Sequence, residues 1–188
     1  MTDAKPTLDR TDAIQVGLIA DSHSRKRGAV DLPQRVLDAL AGVDLILHLG
    51  DMGVAASLDR LAEVAPVLAL RGAHAVGEHA KLVAGTRRIQ CGVHAIGAVF
   101  NLAGCAPTVR VDPSLELDDE KSPAEIASAF GGPVAVVAHA MTHRPLVERR
   151  CDMLFVNPGS PTLPAEGEGT IAILDLSGPM PQARIETV

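Results

Sequence analysis

Ile14-Gln15-Val16-Gly17-Leu18-Ile19-Ala20-Asp21-Ser22-His23 decides how the rest of the chain is read. Its first seven residues are a short, mostly apolar run suited to a buried strand, and the run stops at a carboxylate. Two residues later comes an imidazole. Asp and His together suit a divalent transition metal, one bringing negative charge and the other a nitrogen donor.

The same arrangement recurs along the chain. Val43 to Leu49 is apolar and ends at Gly50-Asp51. Val67 to Leu70 ends at Arg71-Gly72, just before His74. Ile89 to Val93 reads as a fourth strand ending at His94. Val134 to Ala138 ends near His139, and His143 follows in the next loop. Ligand sites of open α/β sheets lie beyond the carboxyl ends of the strands, where such side chains converge. Alone, Asp21 reads as a turn or N-cap residue, His48 as a hydrogen-bonded core histidine and His79 as a solvated side chain. The ordered set points to a metal site.

Between these strands the pattern is helical. Pro33 precedes the stripe Val36, Leu37, Leu40, and Leu58, Leu61 and Ala62 mark a second helix. Ser122-Pro123-Ala124-Glu125 has capping-box spacing and predicts a helix to about Phe130. Asn101 to Lys121, rich in Pro and Asp, reads as a long loop or insertion. Runs at Pro145–Val147, Met153–Val156 and Thr170–Leu176 predict late strands in a second, more antiparallel sheet. This alternation argues for an α/β layered domain.

Composition narrows the function. Of 188 residues, 47% are hydrophobic, enough for a sizeable core. Aromatics are only 2%, with no Trp or Tyr, which argues against stacking on single-stranded nucleic acid. The net charge of -6 disfavours nucleic acid and anionic membranes. No apolar run reaches the ~20 residues of a membrane span. Cys91, Cys105 and Cys151 are odd in number without CxxC spacing, and read as reduced thiols of a cytoplasmic protein. Met1 to Asp12 is polar and reads as a disordered lead-in to one domain over residues 13–188.

Six motifs stand in order: Asp21-Ser22-His23, Gly50-Asp51, Gly72-Ala73-His74-Ala75, the isolated His94, Ala140-Met141-Thr142-His143 and Asn157-Pro158-Gly159-Ser160. Over roughly Ile14 to Leu176 the chain resembles the calcineurin-like metallophosphoesterase superfamily. It is most similar to the small bacterial and archaeal phosphodiesterase branch that shares its fold with the retromer scaffold subunit. The family pattern is D-x-H, G-D, G-N-[HC]-D, an isolated His, G-H-T-H and N-P-G-S. The resemblance implies a four-layer α-β-β-α sandwich of two mixed sheets flanked by helices. It implies a first metal held by Asp21, His23, Asp51 and His143. A second metal would share Asp51 and use His94, but its other two positions are Ala73 and Met141, which offer little to such an ion. His74 is implied as the catalytic acid or electrostatic stabiliser, without its usual carboxylate neighbour because Ala75 stands there.

The expected function is a metal-dependent phosphoesterase, a phosphodiesterase or phosphatase on a small phosphoester, with a degenerate second metal site. One divalent ion, Mn, Fe, Zn or Ni, is expected to bind tightly. The alternative is an impaired or inactive member acting as a binding or scaffold module, with a second copy or another protein as its partner. The basic run Arg25-Lys26-Arg27, directly after His23, is either part of the mouth of the site or a solvated loop.

Overall fold

The computed structural model describes residues 7–73 and 85–188. In chain order the strands are β1 (Thr7–Thr11), β2 (Gln15–Ile19), β3 (Leu45–His48), β4 (Val67–Ala69), β5 (Thr86–Cys91), β6 (His94–Val99), β7 (Val109–Arg110), β8 (Glu116–Leu117), β9 (Val136–Ala138), β10 (Pro145–Arg150), β11 (Met153–Pro158), β12 (Thr170–Asp175) and β13 (Gln182–Thr187). The helices are α1 (Gln34–Ala39), α2 (Ala56–Ala62) and α3 (Ser122–Phe130).

The strands form two mixed sheets and a small ribbon. One sheet runs β13-β12-β2-β3-β4 and the other β1-β5-β6-β9-β11-β10, while β7 pairs with β8. In the first, β2, β3 and β4 are parallel and β12 joins β2 antiparallel. In the second, β6, β9 and β11 are parallel.

Alternation along each strand builds three apolar layers, because successive side chains point to opposite faces. Val16, Leu18, Leu47, Ile96, Val136, Val156 and Leu174 meet between the sheets. Ile19, Ile46 and Ile173 face α1 and α2 through Val36, Leu40 and Leu61. Val137 and Phe155 face α3 through Ile126 and Phe130. The result is the α-β-β-α sandwich expected from the sequence.

Several local expectations are corrected. Thr7–Thr11, within the stretch read as a disordered lead-in, forms β1 in parallel register with β5. Backbone pairing at a sheet edge supplies the order that its polar composition conceals. The run ending at His94 is two strands: β5 stops at Cys91, Gly92-Val93 turn the chain, and His94 opposite Cys91 opens β6. The late strands do not share a sheet of their own. The β10–β11 hairpin edges the six-stranded sheet, and β12–β13 complete the other. Within the long segment Asn101–Lys121, Leu102, Ala106, Val109 and Leu115 pack against α3 and the sheet. Helix α3 spans the expected residues, but Ser122 and Glu125 form no capping box. Glu125 instead accepts from the Thr108 N–H and hydroxyl, at 3.1 and 2.8 Å.

Candidate metal centre

Three strands from two sheets deliver the site. β2 runs into Asp21, β3 into Asp51 and β9 into the loop carrying Met141 and His143. The β2–β3 pairing continues into the site, where the Asp21 N–H donates to Gly50 O at 3.0 Å and the His23 N–H to Asp51 O at 2.9 Å, and the other sheet reaches it through the loop after β9. Asp21, His23, Asp51 and His143 have φ of 48°, 40°, 51° and 56°, and Met141 beside them 77°. Left-handed backbone at non-glycine residues costs of order 1–3 kcal/mol each and tends to cluster at functional sites. Among these residues Asp21, His23 and His143 bring donor atoms close together.

Asp21, fully buried, is the hub. Its Oδ2 accepts from the Met141 N–H at 3.0 Å. Its Oδ1 lies 3.5 Å from His143 Nε2 and 4.0 Å from His23 Nε2. One donor atom from each of the three residues falls within 4.8 Å of the others, and the two imidazole centroids are 5.3 Å apart. His143 Nδ1 lies 2.6 Å from Leu163 O. A carbonyl only accepts, so Nδ1 donates a proton there, and Nε2 is left facing the Asp21 carboxylate. With Nε2 free of its proton, the two atoms would together hold a cation between them.

The surroundings brace this cluster. Ser160 Oγ donates to Asp21 O at 2.7 Å and accepts from the Leu163 N–H at 2.9 Å, and Thr162 Oγ1 donates to Ser22 O at 2.7 Å. Asn157 Oδ1 accepts from the Gly159 N–H at 2.9 Å, while its Nδ2 donates toward His139 Nδ1, Ala140 O and Thr142 Oγ1. His48, buried in β3, accepts from the Gly50 N–H at Nδ1 and donates from Nε2 to Ser22 Oγ at 2.9 Å. It is the hydrogen-bonded core histidine expected from the sequence. Asn157-Pro158-Gly159-Ser160 was visible as a turn. Nothing in the spacing marked Thr162 or the Leu163 carbonyl as supports of the site.

The sequence profile of the calcineurin-like phosphoesterase superfamily domain matches residues 14–178. The chain belongs to the calcineurin-like phosphoesterase superfamily. A probable metallophosphoesterase of Methanothermobacter thermautotrophicus is 28% identical over 170 residues, covering 90% of each chain. One from Methanocaldococcus jannaschii is 30% identical over 150 residues, covering 79% of this chain and 69% of the relative. Among solved structures, Vps29 of Chaetomium thermophilum superposes with a TM-score of 0.66 at 24% identity, over 94% of this chain and 97% of that one. A protein described as a novel archaeal phosphodiesterase gives 0.64 at 15% identity, over 92% and all of its chain.

Calcineurin-like phosphoesterases use divalent metal, and the donors here fit one ion: a buried carboxylate, two imidazoles, and one imidazole whose tautomer is set by a backbone carbonyl. Asp51 is adjacent, though outside the closest donor group. Its Oδ1 lies against Gly72, where an added Cβ would sit 2.0 Å away.

The structure does not bring His94 to this cluster. It opens β6, whose other end reaches the site, and its Nε2 lies 2.9 Å from Gly178 O. At about 3.3 Å per residue it stands roughly 20 Å from Phe100. Phe100 holds the position at the rim. Its carbonyl accepts from the Ala140 N–H at 3.2 Å, and its ring lies where a Cβ on Gly50 would come within 2.7 Å. The sequence reading missed Phe100 because an aromatic at a strand end looks like core. His74 and Ala75 lie outside the described residues.

The basic run after His23 is ordered by Asp31. Its carboxylate accepts from Ser24 Oγ and from the Arg25 and Lys26 N–H groups, at 2.7 and 3.1 Å for the two amides. Desolvation is the largest single influence and pushes the Asp31 carboxyl up, but the bonds from Ser24, Arg25 and Lys26 together outweigh it and bring it down to about 2. The three basic side chains are exposed.

Proposed function

We propose that the chain is a metal-dependent phosphoester hydrolase acting on a small phosphodiester or phosphomonoester through a single tight divalent ion. The observation that carries this is the opposition of His143 Nε2 and Asp21 Oδ1 at 3.5 Å, with His143 Nδ1 committed to Leu163 O. Asp21, His23 and His143 would hold the ion, with Asp51 as a neighbouring carboxylate. A bound divalent ion supplies Lewis-acid polarisation of a phosphoryl oxygen. The protein's own part is to fix the imidazole tautomer, to keep Asp21 dry, and to present Arg25, Lys26 and Arg27 on the segment directly following His23. His74 remains the proposed acid or electrostatic stabiliser. A cytoplasmic location accords with the free thiols of Cys91, Cys105 and Cys151.

A second ion of the kind the resemblance implies would meet Ala73, Phe100 and Met141. These residues favour the second reading, a binding or scaffold protein that retains one metal, and the likeness to Vps29 supports it at the level of fold. Metal analysis with hydrolysis of bis(p-nitrophenyl) phosphate separates the two. About one tight ion per chain and metal-dependent turnover is the expected result. One ion without turnover of mono- or diesters moves the scaffold reading ahead, and no tight ion defeats the metal centre.

A further inference from the structure

A cavity of about 310 Å³ opens beside the metal centre, lined by Arg71, Ala73, Val99, Phe100, Asn101 and Cys105 among others. Gly72 and Phe100 line the cavity and also pack against the Gly50-Asp51 loop of the centre. Gly72 belongs to the cavity wall, and an added Cβ there would strike Asp51 Oδ1 at 2.0 Å. A Cβ on Gly50 would meet the Phe100 ring at 2.7 Å and the Gly72 Cα at 2.8 Å. The cavity and the Asp51 loop therefore share a boundary at Gly72 and Phe100.

We propose that this cavity is the subsite for the organic group of the substrate, and that it selects a flat apolar group such as an aryl ring over a small alkyl one. The proposal rests on the phosphoesterase reading above and adds the substrate class to it. The volume is at the low end for small-molecule sites, about 300–1,000 Å³, which suits one ring system. Ala73, Val99 and Phe100 give apolar walls. Cys105 adds to them as a neutral thiol: burial pushes it up to about 11, and its S–H donates to Leu102 O at 3.3 Å. The polar edge is narrow. Asn101 Oδ1 is taken by the Gly104 N–H at 3.1 Å, which leaves its amide NH₂ as a donor, and Arg71 supplies positive charge. A flat group bearing an acceptor or a negative substituent matches both. Ala73 and Phe100 thus act twice: they deny ligands to a second ion and create an apolar wall.

The test uses the zinc-loaded chain and two ligands that carry the same phosphorus group and cannot be hydrolysed, phenylphosphonate and methylphosphonate. Calorimetric titration should show phenylphosphonate binding about tenfold or more tightly. Ala73→Leu, at an exposed turn position, should fill the cavity and remove that preference, with methylphosphonate in the same variant reporting that the centre still takes the phosphorus group. Cys105→Phe is the second filling variant, should Ala73→Leu fold poorly. Equal affinity for the two ligands in the wild type, or a preference that survives both variants, overturns the subsite while leaving the phosphoesterase reading intact. If neither phosphonate binds, that reading falls and the subsite with it.

Discussion

The Ser160 hydroxyl donates to the Asp21 main-chain carbonyl at 2.7 Å, a bond that spans 139 residues of chain. The same oxygen accepts from the Leu163 N–H at 2.9 Å, and the Leu163 carbonyl takes the proton of His143 Nδ1. One buried hydroxyl thus ties the backbone of Asp21 to the residue whose carbonyl sets the tautomer of the imidazole. Ser160→Ala should cost about 1–3 kcal/mol of stability, because it leaves buried polar groups without a partner. It should also weaken metal binding about 10- to 100-fold by loosening a support behind the ligand. Urea unfolding with and without metal separates the effects. An unchanged metal affinity would limit Ser160 to a structural role.

Asp21→Asn should abolish tight metal binding, since it removes the one charge at the hub of the three donors. His94→Ala should leave metal content unchanged, because that ring is engaged with Gly178 O far from the site. Its own cost is one hydrogen bond, about 0.5–1.5 kcal/mol. Elemental analysis of the three proteins checks the pair, and loss of the ion in His94→Ala would contradict the placement of that residue.

The candidate cluster of Asp21, His23 and His143 could be anticipated because such residues lay where strands stop. Asp21, His23 and Asp51 stand within three residues of the ends of apolar runs, and an α/β layer puts such residues on one rim. His94 was misread because Val93, though 89% exposed, extends the apparent apolar run and hides the turn at Gly92-Val93. Phe100 carried no readable signal, since its meaning depends on parallel pairing of β6 with β9, a long-range contact. β1 was invisible for a related reason: its order comes from backbone pairing with β5 and not from an apolar pattern. The helix at Ser122 was predicted at the right place, but tertiary contacts with Thr108 outcompeted the local cap.

His139 is a buried neutral imidazole, and it should make the fold sensitive to acid. Burial drives its pKa down to about 4, against a smaller raising contribution from a backbone hydrogen bond at Ala140. Nδ1 accepts from Asn157 Nδ2, and Nε2 has no partner among the described residues. The unfolded chain binds the proton near 6.5, well before the folded one does. Stability is therefore complete above about pH 6.5 and falls as pH drops toward 4. Between pH 7 and 5 the loss from this group should be on the order of 2 kcal/mol. His139→Gln should flatten that part of the curve, as measured by urea midpoints of the metal-free protein. An identical pH dependence in the variant would mean that other groups dominate.

The most demanding prediction concerns the second ion. The resemblance assigns that ion an Asn, an isolated His, the first His of G-H-T-H and a shared Asp. Restoring Ala73→Asn and Met141→His looks sufficient if His94 supplies the isolated imidazole. The structure puts Phe100 at the rim instead, beside Ala140 and Gly50. The double variant should therefore still bind one ion, and the triple variant with Phe100→His should bind two. Replacing a largely buried phenyl ring should cost on the order of 2–3 kcal/mol, so thermal unfolding accompanies the titration. Two ions clamp the attacking and leaving oxygens of a phosphoryl group, which makes even partial repair worth roughly tenfold or more in hydrolysis of bis(p-nitrophenyl) phosphate. Phe100→His alone should gain little, because Ala73 and Met141 still contribute no donors. A second ion already present in the double variant would show that Phe100 is not the obstacle. Two ions in the triple variant without faster hydrolysis would place the limit elsewhere, in His74 lacking a carboxylate at Ala75 or in the scaffold reading of the chain.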